Sequence, residues 1–276
     1  MRRDEALNTL AATVGRQPDD TIDLAEAALL LAALELPDAD LSSYRRHLAE
    51  LAADVADIAS REVDSLDARA SALQQVVAGK HGYAGDTENY DDLANASLIR
   101  VIDRRRGLPV ALGILYLHAA RAQGWRAAGI NFPGHFLISV EDDEERIILD
   151  PFSRGAHVDI ATLRKMLKTA LGIDAELRPE HYATMTNRGV LLRLQNNIKK
   201  RVKEAGNNER AADIVDGMLA IAPEIPDLWR EASELRAEIG KLRSALEALD
   251  RYLLMTDDSE RNEALALRRH LANRIN

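Results

Sequence analysis

A sharply bounded helix followed by three short strands, all within residues 109–150, constrains the fold more than any other feature of the sequence. Pro109 is typical of a first helical position, because the N–H that proline lacks would have no partner there. An apolar run follows, and Gly124 is the expected stop signal. Strands are predicted over residues 127–132, 135–141 and 146–150, separated by turn residues. Adjacent apolar Leu137 and Ile138 favour a central strand buried on both faces.

Two residues with acid–base chemistry lie at the strand ends. His135 opens the second strand after Gly134, and Asp150 closes the third. We expect Asp150 to accept a hydrogen bond from Nδ1–H of His135 and so fix the histidine tautomer. A helix start supplies free N–H groups that stabilise negative charge. Helix start, histidine and aspartate together are the frame of a Cys-His-Asp catalytic site, but the chain contains no cysteine.

The motifs in this stretch resemble the transglutaminase-like domain of the SirB-type family. They are Arg-Arg-Gly-Leu-Pro, Pro-Gly-His-Phe and Leu-Asp-Pro-Phe, in that order, ending at Pro109, Phe136 and Phe152. The resemblance implies a papain-like α+β fold in which Pro109 takes the place of the nucleophilic cysteine and His135 and Asp150 fill the other two roles. That family typically joins this domain to tetratricopeptide-like helices, so the resemblance covers roughly residues 80–255. One departure is Ser97, where relatives commonly carry an aromatic residue.

The last third of the chain contains a repeat of 34 residues, the separation of Gly206 and Gly240. Such a period resembles tetratricopeptide repeats, whose stacked helix pairs form a concave binding surface. Trp229, Arg236 and Tyr252 are the residues predicted to contribute to that groove. Generic helical hairpins of similar length are the alternative.

Three consecutive arginines, Arg104, Arg105 and Arg106, precede the start of the Pro109 helix. Together with the free N–H groups of that helix they are candidates to bind a phosphate or carboxylate, with Asn95 orienting the turn. A solvated charge run, with one arginine capping the preceding helix, is the structural alternative.

Composition excludes several classes of function. The absence of cysteine excludes disulfides, a thiol nucleophile and thiolate zinc sites. No histidine pair has metal-ligand spacing and no phosphate-binding glycine motif occurs, so we expect neither a metal nor a cofactor. A net charge of -9 argues against a nucleic-acid partner. The longest apolar run is far too short for a membrane span, and no signal peptide is evident, so a cytoplasmic location is expected.

The expected fold class is α+β and mostly helical, with a papain/transglutaminase-like core and a small antiparallel sheet. We predict a helical N-terminal region over residues 1–78, the transglutaminase-like core over residues 79–178 and tetratricopeptide-like hairpins over residues 179–276. Within the first region, Leu24 to Leu34 has helical spacing and Ser43 is the expected cap of the next helix.

Two functions are compatible with these features. The favoured hypothesis is a non-catalytic interaction or regulatory protein that binds a protein or peptide, with His135 and Asp150 as a structural pair. The alternative is a hydrolase or transferase of altered chemistry, in which His135 activates water or a substrate hydroxyl and Asp150 orients it.

Overall fold

A computed structural model of the chain describes residues 2–274, without the side chains of residues 258 and 259. Within these residues the chain forms two compact units, one comprising Asp19–Leu194 and the other Arg2–Pro18 with residues 195–274. The α-helices are α1 (Arg3–Leu10), α2 (Leu24–Ala33), α3 (Leu41–Ala59), α4 (Leu66–Leu73), α5 (Leu98–Arg104), α6 (Pro109–Ala122), α7 (Ile160–Leu171), α8 (Asn187–Glu204), α9 (Asn208–Ile221), α10 (Pro226–Glu238), α11 (Leu242–Met255) and α12 (Asp258–Asn273).

Shorter helical turns connect several of these helices. Two are π-helical, at Ala11–Gly15 and Gln74–Lys80, and three are 3-10 turns, at Asp19–Thr21, Leu93–Ala96 and Pro179–Tyr182. The strands are β1 (Ala84–Gly85), β2 (Arg106–Gly107), β3 (Arg126–Ile130), β4 (Leu137–Glu141), β5 (Arg146–Asp150), β6 (Ala156–His157) and β7 (Thr184–Met185). The predicted fold class, mostly helical with a small antiparallel sheet, is confirmed.

The main sheet belongs to the first unit and has the order β6-β5-β4-β3-β7, with every described pairing antiparallel. The middle strand, β4, is buried on both faces, as the adjacent Leu137 and Ile138 predicted. Leu137 packs toward the α7 side, in a cluster with Leu163 and Leu167. Ile138 lies instead on the α6 side, where it faces Gly113. The sheet is therefore held between two helices, one against each face of β4.

Helix α6 has the boundaries that its sequence predicted. It begins at Pro109 in the first helical position, and Gly124 follows its end with a φ of 76°. That left-handed conformation strains other residues but suits glycine, which has no Cβ. The cap expected at Ser43 is incorrect, because α3 begins two residues earlier, at Leu41. The carboxylate of Asp40 accepts a hydrogen bond from the backbone N–H of Ser42.

The second unit contains α1 and the helices from α9 to α12. Helices α9, α10, α11 and α12 follow one another through short turns, and each packs against the next. A cluster centred on Ala245, Leu249 and Tyr252 forms the core of the later helices. In the described part of the chain, no helix is long and apolar enough to cross a membrane.

Candidate functional site

The structure brings His135 and Asp150 together. Nε2–H of His135 donates a hydrogen bond to Oδ1 of Asp150 over 2.9 Å. The sequence had predicted this contact through Nδ1, and the structure places the other ring nitrogen on the carboxylate. Because the carboxylate can only accept, Nε2 carries the proton and Nδ1 is the basic nitrogen of the neutral ring. The His135 side chain is 20% exposed, so it is neither buried nor freely open.

A tight turn places His135 ahead of β4. The backbone N–H of His135 donates to the carbonyl of Phe132 over 2.9 Å, which closes a four-residue turn. Pro133 and Gly134 occupy its two central positions, and Gly134 has a φ of 72°. This combination suits a type II turn, because proline presets the first position and glycine accepts a positive φ at the second. His135 therefore precedes the strand that was predicted to begin with it, since β4 starts at Leu137.

Asp150 is held by more than His135. Its Oδ1 also accepts the backbone N–H of Phe152 over 2.9 Å, and its Oδ2 accepts the hydroxyl of Ser153 over 2.7 Å. Burial alone would raise the pKa of Asp150, but the hydrogen bond from His135 and those from Ser153 lower it below its ordinary value. Asp150 is therefore a charged, 11% exposed acceptor that joins the end of β5 to the turn after it.

Two aromatic rings extend from His135. The ring of Phe152 meets His135 edge-on, with the centroids 6.2 Å apart, and meets Tyr90 in the same way at 5.7 Å. Tyr90 is 43% exposed and forms the outer member of the stack. On the adjoining side, Arg193 donates to the carbonyl of His135 over 2.7 Å and to the side-chain oxygen of Asn131. Arg193 thus holds the backbone of the turn that carries His135.

The short parallel pair β1–β2 connects the start of α6 to the segment after Asp150. Gly85 pairs with Gly107 on one side and donates its N–H to the carbonyl of Phe152 over 3.0 Å on the other. A Cβ on Gly85 would lie 2.4 Å from the Phe152 ring, so only glycine fits here without displacement. Pro109 then opens α6 as a buried residue with neither a nucleophilic atom nor an N–H.

The arginines before α6 have protein partners. Arg104 forms ion pairs with Asp86 over 3.0 Å and Asp92 over 3.2 Å, and it donates to the side-chain oxygen of Asn95 over 3.3 Å. Buried Asn95 donates in turn to the carbonyl of Asn89 over 2.7 Å. These contacts form a structural network around the turn, and anion binding by Arg104 and Asn95 stays a prediction.

Arg105 and Arg106 make different contacts. Arg105 adopts a left-handed conformation, with a φ of 57°, and donates to Nε2 of His47 over 2.7 Å and to the hydroxyl of Tyr83. Arg106 is exposed and donates to the carbonyls of Gly82 and Arg105. The predicted anion site would require Arg105 to leave an internal cluster, while Arg106 could turn toward solvent at little cost.

His47 is neutral in that cluster. Its Nε2 lies within hydrogen-bond distance of Arg105 and of the Tyr83 hydroxyl, at 2.7 and 2.8 Å. Because a guanidinium only donates, Nε2 must be the acceptor. Burial, followed by the charges of Arg105 and His81, lowers the pKa of His47 to about 4.

We expect the free energy of unfolding to fall as the pH is lowered from about 7 to about 5. A histidine whose pKa is depressed in the folded state stabilises the protein above its unfolded pKa of about 6.5, and this stability is lost as the pH approaches the folded value. His47→Gln keeps an acceptor for Arg105 and does not titrate, so its loss between the two pH values is expected to be smaller. Urea unfolding of both proteins measures the difference, and equal losses would contradict the assignment.

The three residues predicted for the repeat groove lie in the second unit, mainly in packing roles. Nε1–H of Trp229 donates to the carbonyl of Pro223 over 2.8 Å. Arg236 pairs with Asp216 over 2.6 Å and donates to the carbonyl of Ser244. Tyr252 is 2% exposed and belongs to the core of the later helices, so it cannot line an open groove in this conformation. Direct peptide contacts by Trp229 and Arg236 stay predictions.

A shallow pocket of 380 Å³ does lie between α10 and α12, with Ser233, Glu234, His270 and Leu271 among its lining residues. Pattern reasoning missed this pocket, because which helix faces meet depends on packing between hairpins. It also missed Tyr90, Phe152 and Arg193 as neighbours of His135. For Phe152 a signal was present, since it closes the Leu-Asp-Pro-Phe motif. Among the described residues, no group of three or more His, Asp or Glu side chains is arranged to hold a metal ion.

Comparisons with known proteins agree with this architecture. The profile of the transglutaminase-like superfamily matches residues 42–196, and a tetratricopeptide repeat profile matches residues 198–272. A UPF0162 protein of Vibrio cholerae is 32% identical over 208 residues, which span 75% of this chain and 76% of that protein. A UPF0162 protein of Xylella fastidiosa is 29% identical over 245 residues, spanning 85% and 84%. F-box only protein 21 of Pongo abelii is 24% identical over 276 aligned positions, spanning 87% of this chain and 43% of that protein.

Proposed function

This chain belongs to the transglutaminase-like superfamily, and we propose that it is a non-catalytic protein-interaction or regulatory protein of the SirB type. The observation that carries the proposal is Pro109, which is buried at the first position of α6, where the superfamily frame calls for a nucleophile. Proline offers neither a nucleophilic atom nor an N–H to an oxyanion. No cysteine occurs elsewhere in the chain to replace it.

In this account His135 and Asp150 are a structural tie. Asp150 accepts three hydrogen bonds, from His135, Phe152 and Ser153, and so connects the turn before β4 to the turn after β5. A carboxylate bound in this way stabilises the fold whether or not the imidazole exchanges protons with a substrate. The pair is then retained for stability after the nucleophile has gone.

The binding role is assigned to the tetratricopeptide-like helices, because stacked helix pairs present an extended concave surface to peptides. The pocket between α10 and α12 is lined by polar side chains, Glu234 and His270 among them, and by apolar ones that include Leu271. A protein or peptide segment with an apolar anchor and flanking polar groups fits such a surface. Trp229 and Arg236 then act by holding α10 in position.

Site-specific photo-crosslinking tests the binding role. A photoreactive residue in place of Glu234 is expected to capture a discrete protein partner from native extract, because that side chain lines the pocket. The same residue in place of Glu62, which is exposed in the first unit, is the matched control. Capture at Glu234 should persist with His135→Ala. Capture at neither position, or capture that His135→Ala abolishes, would contradict a binding role of the repeats.

A hydrolase or transferase of altered chemistry is the second candidate. It is favoured by the partial exposure of His135 and by Nε2 facing Asp150, which leaves Nδ1 as the basic nitrogen. Such an enzyme would use water or a substrate hydroxyl in place of a thiol. Its activity would depend on His135, and His135→Ala would remove it.

A further inference from the structure

A second cavity lies in the first unit, and neither His135 nor Asp150 lines it. It measures 750 Å³, a size typical of small-molecule sites. The start of α2, the end of α6, the first residues of β3 and the start of α8 contribute to its wall, through Asp23, Arg121, Arg126 and Asn187 among others. The proposed interaction role uses none of these residues.

Arg121 places a positive charge in this wall that no carboxylate of the described residues contacts directly. Its Nε and Nη2 both donate to the carbonyl of Ala127, over 3.0 and 2.9 Å, and its Nη1 donates to the side-chain oxygen of Asn187 over 2.9 Å. Both partners are neutral, and within the described residues no carboxylate lies within 4.0 Å of the guanidinium. Burial lowers the pKa of Arg121 because charge in a poorly solvated place is disfavoured, and the charges of Asp19 and Asp23 offset this only in part. Two of the five guanidinium N–H groups stay unused by these bonds.

The hydrogen bonds from Arg121 to Ala127 cover part of the edge of the sheet. Strand β7 pairs only with Gly129 and Ile130 of β3, so the outer edge of β3 at Ala127 lacks a strand partner, and Arg121 satisfies its carbonyl. An edge carbonyl must be satisfied, but a neutral donor would do this equally well. The positive charge of Arg121 is therefore not required by this edge contact.

Four carboxylates line the same cavity, and three of them are engaged. Asp19 accepts the backbone N–H groups of Asn187 and Arg188, and Asp23 caps α2. Glu141 accepts the Ser139 hydroxyl and pairs with Arg146. The fourth, Asp20, makes no hydrogen bond or ion pair with the described residues. The cavity thus presents a guanidinium that no carboxylate contacts directly and a carboxylate, Asp20, that has no ion-pair partner among the described residues.

We propose that this cavity binds a small zwitterion of amino-acid or dipeptide size, whose carboxylate meets Arg121 and whose ammonium group meets Asp20. Both unused N–H groups of Arg121 can then donate to a carboxylate, the geometry in which arginine binds most strongly. The carboxylates of the cavity would repel a simple anion, and Arg121 would repel a simple cation. Only a ligand that carries both charges satisfies both groups.

Ligand-observed NMR on the full chain tests this with glycine, L-alanine and L-alanyl-L-alanine as probes. At least one is expected to bind at concentrations up to about 10 mM, the millimolar range of small ligands. N-acetyl-L-alanine and L-alaninamide each lack one charge and are expected to bind about tenfold more weakly or not at all. Binding of neither the amino acids nor the dipeptide in that range would overturn the proposal.

Two variants assign the charges. Asp20 is exposed, and Asp20→Asn is expected to abolish the preference for a free ammonium group. The control is Glu62→Gln, which changes another exposed carboxylate and is expected to leave that preference unchanged. Arg121→Gln keeps a donor for Ala127 and is expected to abolish the preference for a free carboxylate. Because that change can weaken the sheet edge, its thermal unfolding is measured alongside. Unaltered selectivity in the Asp20→Asn protein would contradict the proposed site even if Arg121→Gln failed to fold.

Discussion

Replacing Asp150 with alanine is expected to lower the free energy of unfolding by about 3 kcal/mol, the cost of removing one partner from a buried charged network. The change leaves Nε2–H of His135, the N–H of Phe152 and the hydroxyl of Ser153 without their acceptor. Since Asp150 is only 11% exposed, water replaces these bonds poorly. Urea unfolding monitored by circular dichroism measures the effect.

Asp150→Asn is the matched control. Its side-chain oxygen can accept the two bonds that Oδ1 of Asp150 accepts, from His135 and Phe152, and its amide group can donate to the hydroxyl oxygen of Ser153. We therefore expect Asp150→Asn to lose only about 1 kcal/mol, the difference between charged and neutral hydrogen bonds. Equal, large losses in both variants would show that the tie depends on the negative charge itself, whereas a small loss in Asp150→Ala would contradict a structural tie.

Gly113→Ala is expected to destabilise the protein by about 2 kcal/mol, although alanine is the better helix former. Helix propensity favours alanine by about 1 kcal/mol. The new Cβ would lie 2.4 Å from Cε1 of Phe136 and 3.4 Å from Ile138. Phe136 is fully buried and cannot move aside, so overpacking of about 1–3 kcal/mol outweighs the propensity gain.

The control for that change is Gly79→Ala. The nearest atom to a Cβ on Gly79 is the Gln74 carbonyl oxygen at 3.8 Å, an ordinary contact distance. Thermal unfolding of both variants beside the unaltered protein measures the difference, and Gly79→Ala is expected to be neutral or slightly stabilising. Greater stability of Gly113→Ala than of the unaltered protein would show that α6 does not rest on β4 as described.

Local signals predicted the long elements well. Pro109 and Gly124 set both ends of α6, because a missing N–H and a positive φ have strong positional preferences. At α3 the pattern predicted Ser43 alone as the cap. Asp40 is the one that bonds the first turn, and pattern alone does not rank two good caps so close together.

The remaining differences come from contacts between distant residues. Strands β1, β2, β6 and β7 have two residues each, so no periodicity marks them, and they exist only through their pairing partners. Two contacts of His135 also depend on residues that are distant in the sequence. They are the hydrogen bond from its Nε2 to Asp150 and the hydrogen bond that its carbonyl accepts from Arg193. The sequence predicted that His135 and Asp150 would lie on neighbouring elements, but orientation depends on the folded turn.

A search for products that depend on His135 tests the central claim most directly. The purified full-length protein and His135→Ala are incubated with a peptide library that contains amide, ester and glutamine side-chain targets, and masses are compared after equal times. Circular dichroism first establishes that both proteins are folded. If His135 and Asp150 are a structural pair, we expect both proteins to give the same products, or none. A product formed by the unaltered protein and absent with folded His135→Ala would contradict the account and establish an enzyme.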